Sequence, residues 1–110
     1  MLIDAHAHLN RYDEITGKAL DEIESYRIFT ISNSMDPQSY KANLEIGEKC
    51  KYVLPTFGIH PWVAHEYLHK LIEFDEYIER SPVLGELGLD YYFEKDLGIN
   101  NIIFCVYKKY

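Results

Sequence analysis

Hydrophobic and polar positions along this chain change period several times, and each period predicts an element. The opening run Met1-Leu2-Ile3-Asp4-Ala5-His6-Ala7-His8 starts apolar and then alternates. A period of two predicts a buried first strand, with Asp4, His6 and His8 on one face and Ile3, Ala5 and Ala7 on the other. From Ile15 to Tyr26 the apolar residues Ile15, Ala19, Ile23 and Tyr26 recur at helical spacing, leaving Asp21, Glu22 and Glu24 to solvent. Arg27 to Ser32 is rich in β-branched and aromatic residues and runs into Asn33-Ser34, which predicts a second strand. Asp36-Pro37 then supplies an N-cap and a first-turn proline for a helix running toward Cys50.

The segment from Lys51 to His60 reads as a third strand and its loop, although Pro55 removes a ladder donor if it sits mid-strand. Leu68, Leu71, Ile72 and Ile78 predict a third helix that Ser81-Pro82 terminates, and Val83 to Asp90 reads as a fourth strand. The order β-α-β-α-β-α-β with short connections builds a parallel sheet through right-handed crossovers. The expected fold class is therefore α/β, of the (β/α) TIM-barrel type truncated to about the first four β/α units, since a whole barrel takes about 250 residues. The tail departs from this rhythm. Asp96 to Asn101 is turn-like, and Ile102 to Tyr107 is an apolar run closed by Lys108-Lys109-Tyr110, readable as a short buried strand.

Composition narrows the function. The 110 residues carry 18 acidic against 11 basic side chains, a formal charge of −7, which argues against nucleic-acid binding by a broad basic surface. A phosphodiester substrate would need metal ions to offset the repulsion. No secretory or membrane-spanning run is present, so the expectation is a cytoplasmic protein with no membrane partner. Cys50 and Cys105 have no metal-site or disulfide spacing and read as incidental free thiols.

His6 and His8, two apart on a strand, send both imidazoles the same way and can bind one metal ion at the strand's C-terminal end, where ligands collect in parallel α/β folds. Glu86, in Gly85-Glu86-Leu87-Gly88-Leu89-Asp90, is an ionisable group at the end of an apolar strand. It needs a cation or donor; a metal is one partner, a lysine or arginine from elsewhere the other. An oxygen ligand beside two imidazoles suits zinc, manganese or a similar divalent ion. His60, in Gly58-Ile59-His60-Pro61-Trp62, is either substrate-facing or a loop residue stacked on Trp62. His65 and His69, at i, i+4, read as solvated helix residues.

Taken together, Asp4-Ala5-His6-Ala7-His8, Gly58-Ile59-His60-Pro61 and Gly85-Glu86-Leu87-Gly88-Leu89-Asp90-Tyr91-Tyr92 resemble, in order and spacing, the TatD-like DNase family of metal-dependent hydrolases. The resemblance covers residues 1–93, the N-terminal half of such a barrel, and leaves 94–110 as an off-pattern tail. It implies a (β/α) barrel that hydrolyses DNA at a two-metal site, the ions being zinc, manganese or magnesium. His6 and His8 are then metal ligands, Glu86 a metal-bridging catalytic carboxylate, and His60 a catalytic, substrate-binding group. Two further histidines and an aspartate of the family lie on later strands, so the expected chain is weakly active or inactive. An Asn/Ile/Phe/Tyr/Lys-rich tail is what an AT-rich gene yields out of frame, which points to a frameshift or truncation. Exposed half-barrel edges predict self-association. The rival readings are a phosphoesterase of the polymerase and histidinol phosphatase type, another amidohydrolase-like activity, and a non-catalytic remnant or interaction fragment.

Overall fold

The structure, a computed structural model, describes residues 1–67, 69–88 and 90. Three strands, β1 (Leu2–Ala7), β2 (Ile28–Asn33) and β3 (Val53–Thr56), form a parallel sheet in the order β1-β2-β3. Helices α1 (Thr16–Tyr26) and α2 (Pro37–Gly47) make the two crossovers, and α3 (Phe74–Arg80) follows β3. The mixed α/β class and parallel sheet agree with the expectation.

Local chemistry explains the boundaries. At the start of α2, Asp36 Oδ1 accepts the Ser39 N–H at 2.7 Å while Ser39 Oγ accepts the Asp36 N–H at 3.1 Å, a reciprocal cap beside Pro37 in the first turn. Helix α1 ends where Arg27 turns left-handed at φ 52°. Pro55 does sit inside β3, but the carbonyls of Tyr52 and Thr56 face β2 and that of Phe57 faces away. Its missing N–H, on the Phe57 side of the strand, therefore costs the β2–β3 ladder nothing.

Five expectations need correction. The first strand is largely exposed, because β1 is a sheet edge and one face of the sheet is uncovered among the described residues. Its alternation also fails: the register shifts between Asp4, opposite Thr30, and Ala7, opposite Ser32, so one extra residue bulges from the strand. In α1, Ile15 and Tyr26 are exposed, and Leu20 and Ile23 are the residues that join the core. The third helix starts only at Phe74; Ile72 is exposed in the preceding turn, and buried Phe74 with partly buried Ile78 anchors the helix. Leu68 lies outside the described residues.

Among the described residues the fourth strand is reduced to one parallel bridge between Phe57 and Leu84, with the Gly85 N–H donating to the Phe57 carbonyl at 2.7 Å. Gly88 takes a φ of 147°, a conformation that breaks an extended run and favours glycine. Leu89 and the predicted tail segments, with Cys105, lie outside the described residues.

Two clusters form the core. Ala7, Leu9, Ile23, Ile46, Cys50 and Val53 pack between the sheet and the crossover helices, and Tyr40, Phe57, Ile59, Ala64 and Phe74 pack between α2 and α3. No helix among the described residues is long and apolar enough to cross a membrane.

Candidate metal centre

The C-terminal ends of the parallel strands deliver the candidate residues to one place. His6 lies in β1 and His8 just after it; His60 follows β3, and Glu86 follows the Leu84 bridge. Glycines make this convergence possible. A Cβ on Gly58 would collide with the Glu86 backbone, and one on Gly85 would collide with Thr56 Oγ1 and come within 2.9 Å of Asn33 Oδ1. Both backbones approach closer than any side chain allows. The bulge in β1 contributes as well, since extra residues at strand ends re-aim side chains.

His6 Nε2 and His8 Nε2 lie 3.1 and 3.4 Å from the same oxygen of Glu86, Oε1, and 3.2 Å from each other. The carboxylate's other oxygen, Oε2, is 3.9 Å from His60 Nε2. Glu86 and His60 are mostly shielded, at 17% and 21% side-chain exposure, whereas His6 is open at 63%. Among the described residues no lysine or arginine pairs with Glu86, so the strand-end carboxylate is faced by imidazoles alone.

Hydrogen bonding gives the two better-held rings opposite tautomers. His8 Nδ1 lies 2.9 Å from the Asn33 carbonyl, which can only accept, so Nδ1 carries the proton and Nε2 keeps its lone pair toward Glu86. At His60 the Trp62 backbone N–H donates to Nδ1 at 3.2 Å, so in the neutral ring the proton sits on Nε2, facing the carboxylate. One ring is set as an electron-pair donor, the other as a hydrogen-bond donor. Trp62 also packs edge-on against His60, with centroids 4.8 Å apart, and donates its indole N–H to Asp90 Oδ2 at 2.7 Å. His60 is thus both stacked on Trp62 and directed into the cluster.

The donor set fits a divalent ion. Tetrahedral bonds of about 2.0–2.1 Å place ligand atoms ~3.3 Å apart, and the three separations here are 3.1, 3.2 and 3.4 Å. His6, His8 and Glu86 are the residues that could hold the ion. Proton sharing is a poorer solution, because two imidazoles and one carboxylate oxygen compete for it. His65 and His69 stay exposed and apart from this cluster.

Asn33 and Asn43 are not among the expected site residues. Asn43, fully buried, accepts from the Asn10 N–H at 3.2 Å and Ser32 Oγ at 2.8 Å, and donates to the Asn33 carbonyl at 3.3 Å and Ser34 Oγ at 3.0 Å. It fixes the carbonyl that fixes His8. A signal existed: Asn43 lies midway between Tyr40 and Ile46 at three-residue spacing, a polar residue on the buried stripe of α2.

Two imidazoles and a shielded carboxylate at the strand ends of a parallel β/α sheet define an α/β protein equipped to hold a divalent cation. The sequence matches the family described as TatD related DNase over residues 3–100, and the chain belongs to that family. It is also similar to an uncharacterized metal-dependent hydrolase of Buchnera aphidicola subsp. Baizongia pistaciae (strain Bp), 30% identical over 105 residues. That alignment takes in 86% of this chain but 39% of the relative, so the chain spans well under half of that protein's length.

Proposed function

We propose that this chain contributes the first metal-ligand set of a metal-dependent phosphodiesterase acting on DNA. The observation that carries the reading is the meeting of His6, His8 and Glu86 within one ligand-sized triangle. Family membership and the relative's description as a metal-dependent hydrolase point the same way. The sheet corresponds to the first β/α units of a barrel, whose later strands would add the remaining ligands.

His6 and His8 would hold a divalent ion through Nε2, and Glu86 through Oε1. A bound divalent ion supplies Lewis-acid polarisation of the phosphoryl group and a water nucleophile at neutral pH. The Asn33 carbonyl holds the His8 tautomer. His60 donates its Nε2 proton to a phosphoryl or leaving oxygen, a role its Trp62-imposed tautomer suits. The exposed side of His6 leaves the approach for substrate open. Self-association through the exposed β1 edge and the apolar sheet face beside it completes the proposal, the occupant being a second copy.

The test is metal content and nuclease activity of the purified chain against His6→Ala and Glu86→Ala, with manganese and with zinc. We expect each substitution to lower metal retention by about ten-fold or more. Unchanged retention in both variants would refute the ligand assignment.

A further inference from the structure

A cleft of about 350 Å³ opens beside the histidine cluster, lined by Asn10 and Arg11 on one side and by Met35, Asp36, Gln38 and Ser39 on the other. Its walls are tied to the cluster through the backbone. The Arg11 N–H donates to the His8 carbonyl at 2.9 Å, and the His60 N–H donates to the Met35 carbonyl at 2.8 Å. Whatever occupies the cleft therefore sits next to the reacting centre.

Two groups in this cleft are poorly satisfied. The Arg11 guanidinium meets the Met35 thioether, Nη2 to Sδ 2.8 Å, a weak acceptor, and among the described residues no carboxylate pairs with it. Asn10 Oδ1 is buried and has no donor among the described residues. The Asp36 carboxylate in the opposite wall adds further acceptor character, although its Oδ1 is already engaged in capping α2.

We propose that this cleft is a nucleotide subsite. Arg11 grips a phosphate next to the scissile one, and the Asp36 carboxylate receives N–H or O–H donors of the attached sugar or base. A fork of guanidinium donors matches phosphate oxygens in pairs. The mixed lining disfavours free phosphate, which brings charge but few donors to a site already holding a carboxylate. In a chain of net charge −7, Arg11 is, among the described residues, the cation that lines this cleft. The proposal rests on the phosphodiesterase reading for its biological sense, but not for its measurement.

Thymidine 5′-monophosphate, thymidine and inorganic phosphate are each titrated into the full chain in EDTA, followed by calorimetry, with Arg11→Ala and Arg11→Lys alongside. The monophosphate should bind at least about ten-fold more tightly than either fragment. Arg11→Ala should reduce its affinity to that of thymidine, and Arg11→Lys should fall between. Unchanged monophosphate affinity in Arg11→Ala, or phosphate alone binding as tightly as the nucleotide, overturns the proposal. Chelation keeps this result independent of the metal site. A parallel metal analysis, in which Arg11→Ala should retain wild-type manganese, separates failure of the cleft from failure of the ligand assignment.

Discussion

The two faces of the sheet are built on different terms. On the helix side, Ala7, Thr30, Ser32 and Val53 are buried, and every polar group among them has a partner close in sequence or one crossover away. On the other side Ile3, Phe29 and Leu54 share one face and remain 61%, 47% and 38% exposed. A β-α-β unit covers its outer face with its own helix, whereas the inner face needs strands from elsewhere in a barrel. The candidate metal centre lies on the seam. His8 is anchored from the helix side through Asn33 and Asn43, while His6 and Glu86 line a hollow on the open side with Ile31 and Leu87. Half the site is tied to the buried hydrogen-bond network, and half faces the side of the sheet left open among the described residues.

This contrast can be broken most forcefully from the helix side. Asn43→Leu keeps volume but strands the Asn10 N–H and the Ser32, Asn33 and Ser34 groups, so we expect a loss of about 3 kcal/mol or more in urea unfolding. A midpoint equal to wild type would show that the buried network is dispensable. Next in size is Gly58→Ala, whose new methyl group must displace the Glu86 backbone. Metal retention should fall about ten-fold or more, as for loss of a supporting group, and wild-type retention would mean that the close approach does not position the ligand.

On the open face the effect should reverse in kind. Phe29→Lys with Leu54→Lys should change unfolding by no more than about 0.5 kcal/mol per site, yet shift the chain toward monomer in light scattering. Equal oligomer content would remove the exposed face from the association. A small effect is also expected at Tyr40, a fully buried ring. Tyr40→Phe should alter stability by under about 1 kcal/mol. Burial raises the Tyr40 phenol pKa above 10.0 in the folded chain, so its contribution is intact below that pH and declines as pH climbs through the raised value. The Phe variant should lose stability less steeply in that alkaline range; an identical slope would count against the shift.

Much of this architecture is written in local order. Helical spacing, β-branched runs, the Asp36-Pro37 start and the Ser81-Pro82 stop identify three strands and three helices, because turn chemistry and amphipathic faces act over a few residues. The motifs around His6, His8, His60 and Glu86 likewise announce a shared site, since parallel strands must end on the same side. What local order does not carry is the bulge that moves Ala7 onto the buried face, the thinning of the fourth strand to a single bridge, and the exposure of β1. Each depends on which neighbour a strand finds, and pairing partners lie far apart along the chain. The tautomers of His8 and His60 belong to the same class. They follow from a carbonyl 25 residues away and from a loop N–H turned back on the ring, contacts that exist only once the strand ends have met.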